Sequence, residues 1–227
     1  MQTYHSAERL PKEIRLRDMG SFYAGGQKIE ISGRNIIEIN VNEKCDRRII
    51  VDPNGSYQMG QMYVQYYIPE KIHGKYPLLL WHGGGMTGKS YETTPDGRPG
   101  WLSYFIRSGW KTYLSDAVER GRSSWCPYGE AFETMPTLFP EAYVFERFRL
   151  GKSFEEKSLF EGSRFPMNGF EEYAKEFVPR WTTTSELTVD AYCALLEKTG
   201  PSVIVAHSQG ASLAFEVLQK KPDLVKA

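Results

Sequence analysis

Residues 203–218 read VIVAHSQGASLAFEVL. Four apolar residues come first, as in a strand buried on both faces, and an amphipathic stretch with helical spacing follows. Between them stands Ser208, with small residues two positions before it (Ala206) and two after it (Gly210). A serine held on a sharp strand-to-helix turn has a strained backbone, and the strand and helix approach too closely for large flanking side chains. The pattern therefore predicts a nucleophile elbow with Ser208 at its tip, although Ala206 stands where glycine is usual. The plain alternative is a serine that only caps the helix.

An elbow needs a second loop whose backbone N–H groups receive the charge that develops on a substrate carbonyl. Residues 81–90, WHGGGMTGKS, follow the apolar run YPLLLW and offer such a loop. The same residues also spell G-x-x-x-x-G-K-S, the phosphate-cradling P-loop pattern. A P-loop requires a sustained helix from about the Gly-Lys-Ser onward. Here YETTPDGRPGW follows, and Pro95, Gly97, Pro99 and Gly100 exclude one. Nucleotide binding, with Asp116 as a magnesium-holding acid, is thus a remote alternative. The oxyanion reading assigns the two donors to Gln209, the residue after the serine, and Gly84, with Gly85 next in line. His82 is expected to fix this loop by hydrogen bonding rather than to do chemistry.

The rest of the chain fits an α/β core with an insertion. KIEISGRNIIEINV and GQMYVQYYIPE alternate apolar and polar residues as β-strands do, with turn residues in DPNGSYQMG between them. GWLSYFIRSGW reads as a helix closed by Gly109, and KTYLSDA as a buried strand. TSELTVDAYCALLEKTG has a Thr or Ser start, helical spacing and a terminal Gly. Strand, helix, strand, helix implies a mostly parallel sheet with right-handed crossovers. The segment between is dense in Phe and Tyr, broken by Pro and Gly, and follows no single period. We expect residues 1–122 and 184–227 to form one core, with 123–183 an ordered cap over one end of the sheet. Phe148, Phe165 and Trp181 are the candidate substrate-contacting residues of that cap.

The 227 residues are 41% apolar and 14% aromatic, enough for a sizeable core. Lys+Arg and Asp+Glu balance at 28 each, so no overall field favours nucleic acid or an anionic membrane. The expected partner is a small-molecule ester, with a homo-oligomer left open. No apolar run approaches the roughly 20 residues that span a bilayer. MQTYHSAERLPKEIRLRDMG has no apolar signal region, which favours a cytoplasmic protein. Cys45, Cys126 and Cys193 have no metal-ligand spacing and are expected as buried free thiols. No metal or cofactor is called for.

Taken together, HGGGMTGKSYETTPDGRPGW, DAVERGRS, FRLG, FPMNG and AHSQGA resemble the α/β-hydrolase esterases of the Alcaligenes carboxylesterase type. The likeness runs from about residue 81 to the elbow helix. It implies an α/β-hydrolase fold and a capped serine esterase, with Ser208 as nucleophile and Gly84 and Gln209 around the oxyanion. The family type carries adjacent cysteines where this chain has Gly84 and Gly85, so any role for such a pair is absent here.

A serine hydroxyl attacks poorly unless a histidine takes its proton and a carboxylate orients that histidine. In this fold the order along the chain is Ser, acid, His. Nineteen residues follow Ser208 and none is histidine. Glu216 falls within the elbow helix and Asp223 just beyond it. His5, His73, His82 and His207 all precede the serine. The expectation is that the acid and histidine, together with the last strands of the core, lie on a C-terminal portion or second polypeptide. The alternatives are a catalytically inactive α/β-hydrolase-fold ligand-binding protein, or an unusual base.

Overall fold

The computed structural model describes residues 13–227. Four strands open it: β1 (Leu16–Ile31), β2 (Ile37–Asn42), β3 (Cys45–Val51) and β4 (Gly55–Pro69). Strands β5 (Leu78–Trp81) and β6 (Thr112–Asp116) flank helix α1 (Trp101–Arg107). The middle segment holds α2 (Glu141–Arg147), β7 (Gly151–Ser153), β8 (Ser158–Leu159) and α3 (Phe170–Ala174). Then come α4 (Ser185–Thr199), β9 (Val203–Ala206) and α5 (Gln209–Lys220).

Five strands form the main sheet in the order β1-β4-β6-β5-β9. β5 runs parallel to both β6 and β9, while β4 is antiparallel to β1 and to β6. The parallel part is the α/β core that strand-helix alternation predicts, and the long β1–β4 ribbon extends it. Each residue of LLLW is buried because β5 is covered on both sides. Leu79 and Trp81 pack with Val189, Leu195 and Leu196 of α4 and Leu213 and Val217 of α5. Leu78 and Leu80 pack with Leu102 and Ile106 of α1. Alternate side chains of a strand point to opposite faces, so a continuous apolar run feeds two cores at once. Trp81 stacks on Tyr192 with ring centroids 3.4 Å apart, and the Tyr192 hydroxyl meets Ser115 Oγ at 2.5 Å.

Beyond β9 the final residues add a further parallel contact: Ser202 N–H donates to Leu224 O and Ile204 N–H to Ala227 O. At the other end, alternation in the sequence does not correspond to burial. Among the described residues β2 and β3 pair only with each other, and Ile37, Ile39, Val41 and Ile49 lie exposed. The three cysteines are free, with Cys126 and Cys193 buried and Cys45 half-buried, so the expected burial fails only at this hairpin. No helix among the described residues is long and apolar enough to cross a membrane.

The segment between β6 and α4 is ordered around its own aromatic cluster, in which Phe145, Phe154 and Phe170 meet edge-on or tilted. It is tied to the glycine loop by Val178 N–H donating to Gly85 O at 2.9 Å. Its Gly169 abuts Pro95, where a Cβ would come within 2.7 Å of backbone.

Candidate active site

Ser208 is the residue between β9 and α5, with φ 54° and ψ −118°. Positive φ costs a non-glycine residue on the order of 1–3 kcal/mol, so packing on both sides must hold it. Gly210 shows how close that packing is. A Cβ there would lie 2.6 Å from His82 O and 2.9 Å from the Trp81 ring. Only glycine lets the first turn of α5 sit against the end of β5. Ser208 is exposed and makes no capping bond through its side chain. The helix-cap alternative therefore fails to account for it.

The glycine loop lies alongside. A Cβ on Gly83 would meet Ser208 Cβ at 3.3 Å and His207 Nδ1 at 2.9 Å. A Cβ on Gly84 would meet the Gln209 carboxamide oxygen at 2.9 Å. The Gln209 N–H stands at the start of a helix, where no carbonyl one turn earlier can receive it. Neither it nor the Gly84 N–H donates to a backbone acceptor among the described residues. Two open donors and an exposed serine thus share one corner, at the carboxyl ends of β5 and β9.

His82 is buried and spends both ring nitrogens on the scaffold. Nδ1–H donates to Gly83 O at 2.8 Å, and Nε2 accepts from Ala117 N–H at 2.9 Å. That pairing sets one neutral tautomer, and burial pulls the imidazole pKa down to about 4. Among the other histidines, His73 lies before β5, at the opposite end of the sheet, with its N–H bonded to Gly109 O. His207 is exposed and flanks Gly83, and no hydrogen bond joins it to Ser208. His5 falls outside the described residues. Glu216 and Asp223 are exposed. No imidazole among the described residues is hydrogen-bonded to the serine.

Asp116 is engaged as a structural anchor. It accepts from Gly88 N–H at 2.9 Å and from Arg122 N–H and Nε at 3.0 and 2.8 Å. These bonds hold its carboxyl below the usual range against the upward push of burial. The P-loop lookalike forms only a short 3-10 turn at Gly88–Tyr91. Among the described residues no cluster of His, Cys, Asp and Glu has metal-binding form.

Phe148, Phe165 and Trp181 are not brought together. Trp181 is buried beside Phe132, its indole N–H donating to Thr134 O at 2.6 Å. Phe165 packs on Phe170 and Tyr173, and Phe148 is 43% exposed at the end of α2. The segment instead delivers Phe139 and Arg180 to the glycine loop. The Phe139 ring would be 3.6 Å from a Cβ on Gly85, and Arg180 Nη1 only 2.6 Å from one on Gly84. Sequence reasoning missed both, because backbone pairing between Thr137 and Arg180 sets their place and no periodicity reports it.

Next to Gln209 lies a buried ion pair, Glu119 with Arg120. Glu119 also accepts from Trp181 N–H at 3.2 Å and Thr184 Oγ1 at 3.1 Å, and burial pushes its carboxyl up. Thr184, expected to cap α4, spends its hydroxyl here instead. Arg120 Nη2 reaches the Gln209 carboxamide oxygen at 3.4 Å.

No family model matches the sequence. A fungal protein described as a probable secreted lipase, phiG, is 32% identical over 186 residues, which span 76% of this chain and 49% of that protein. The chain thus spans about half the length of the curated relative it matches. A bacterial esterase of known structure superposes with a TM-score of 0.79 at 29% identity, over 95% of this chain and 67% of the esterase. The sheet and the loops at the ends of β5 and β9 thus follow a solved esterase over 95% of this chain, and the fold is that of the α/β-hydrolases.

Proposed function

We propose that the chain carries the nucleophile and oxyanion donors of a serine carboxylic-ester hydrolase. Ser208 Oγ attacks the ester carbonyl, and the N–H groups of Gly84 and Gln209 receive the negative charge of the tetrahedral intermediate. The observation that carries this reading is the backbone of Ser208, at φ 54° and ψ −118° between a buried strand and a helix. Likeness to a bacterial esterase and to a probable secreted lipase supports ester hydrolysis as the reaction.

The general base is a histidine other than His73, His82 and His207. We place it, with its orienting acid, outside these 227 residues, on a further segment or a second polypeptide. The substrate is a small ester entering over the corner formed by the glycine loop and the insertion. The expected cytoplasmic location contrasts with the secretion attributed to the fungal relative by its name.

A second reading is a ligand-binding protein with no turnover, and the observation favouring it is that both ring nitrogens of His82 are committed to the scaffold. Hydrolysis of a short p-nitrophenyl ester by the full-length protein, lost in Ser208→Ala, supports the enzyme. Turnover that survives Ser208→Ala contradicts Ser208 as nucleophile, and no turnover by either protein supports the binder.

A further inference from the structure

Arg180 sits against the proposed oxyanion corner in a way its surroundings do not explain. Its backbone is fixed by two hydrogen bonds with Thr137, N–H to O at 3.0 Å and O from N–H at 2.8 Å. Its guanidinium reaches the glycine loop, with Nη1 2.6 Å from the place a Gly84 Cβ would occupy. The glycine there leaves room for this approach as well as for a reacting carbonyl. The nearest ring, Phe139, has its centroid 5.8 Å from Cζ, at the outer limit of a cation–π contact.

Among the described residues no carboxylate pairs with Arg180, and its buried Nε has no hydrogen-bond partner. A second guanidinium, Arg120, is near enough for their charges to repel, and the local carboxylate, Glu119, is committed to Arg120. Beside Arg180 at Gly84 stands the neutral Gln209 carboxamide oxygen, 2.9 Å from the place a Gly84 Cβ would occupy. A guanidinium with an unmet buried donor, facing a site where a small molecule must enter, is suited to a planar two-oxygen anion.

We infer that Arg180 binds a carboxylate on the substrate, so that the esters this site takes are short hemiesters, with a free carboxylate a few bonds from the scissile carbonyl. The inference rests on Ser208, Gly84 and Gln209 being the reactive corner. Arg180 is then a specificity residue that touches substrate. The insertion then contributes charge recognition at the site, with the Thr137 pairing holding Arg180 in place.

Two measurements on the full-length protein test it. The first is the ratio of kcat/KM for monoethyl malonate, succinate and glutarate to that for the matching neutral diethyl esters. Wild type should favour at least one hemiester. In Arg180→Met that ratio should fall by about tenfold to a hundredfold, the span of a lost hydrogen bond to a charged group, with the loss mainly in KM. Arg180→Lys keeps the charge without the fork and should recover part of it. A ratio unchanged in Arg180→Met, with both esters slowed together, would overturn the proposal and assign Arg180 to the oxyanion or to folding.

The second is equilibrium binding of succinamate, the monoamide of succinate, to Ser208→Ala protein, compared with neutral succinamide. It needs no turnover, so it remains decisive if Ser208 proves not to be a nucleophile. Preference for succinamate that disappears in Ser208→Ala/Arg180→Met supports the carboxylate site, and equal binding of the two amides overturns it.

Discussion

Two short segments bring arginines into the neighbourhood of Gln209. In the turn after β6, every charge has a partner: Asp116 holds Arg122 and the Gly88 N–H, and Glu119 holds Arg120, Thr184 and the Trp181 N–H. In the strap 178–181, the backbone is held at Val178 and Arg180, yet the Arg180 guanidinium has no counter-ion among the described residues. Buried charges are stable when paired and costly when not. The first segment is therefore framework, and the second leaves its unmet group at the place where substrate is proposed to bind.

The comparison breaks most visibly at Glu119. Glu119→Ala should lower stability by about 3–5 kcal/mol, because it leaves Arg120 buried without its partner and strands the Thr184 hydroxyl and Trp181 N–H. Chemical denaturation would measure this, and a loss below about 1 kcal/mol would mean that the pair is not structural.

His82 gives the next effect and a direction in pH. Its folded pKa of about 4 lies below the ordinary value of 6.5, so the unfolded chain binds the extra proton first. Its contribution to stability is full above pH 6.5 and is lost as pH falls from about 6.5 to about 4, a change of about 3 kcal/mol. His82→Gln should flatten that part of the stability profile. A wild-type profile already flat across this window would contradict a buried neutral imidazole.

A smaller effect sharpens the elbow side. Gly210→Ala places a methyl 2.6 Å from His82 O and should cost about 1–3 kcal/mol while displacing the glycine loop. Thermal melts read the stability, and ester turnover reads the loop. Unchanged values in both would mean that the helix start and loop are not in contact.

What was legible in the sequence was local. The elbow, the buried run LLLW and the Gly109 stop each depend on a few adjacent residues, and the structure places them as a strand-to-helix turn, a buried strand and a residue just past the end of α1. The His82 role was legible because a polar ring at the end of a buried strand must find hydrogen-bond partners in nearby backbone. The site's charge was not legible. Arg180 reaches Gly84 only because Val178 pairs with Gly85 and Arg180 with Thr137, contacts between residues 43 to 93 positions apart. Thr184 looked like a cap until Glu119, 65 residues earlier, claimed its hydroxyl. The exposed face of β2 was misleading in the other sense, since alternation reports which side chains share a face and says nothing of what covers it.

The central claim is that Ser208 is the nucleophile and that a histidine beyond these residues activates it. A fluorophosphonate probe, with the modified peptide located by mass spectrometry, tests both parts together. Covalent labelling of Ser208 is expected in the full-length protein, with none in Ser208→Ala and slow labelling of residues 1–227 alone. Fast labelling of the 227-residue chain by itself would contradict the external base, and labelling that persists in Ser208→Ala would contradict the nucleophile.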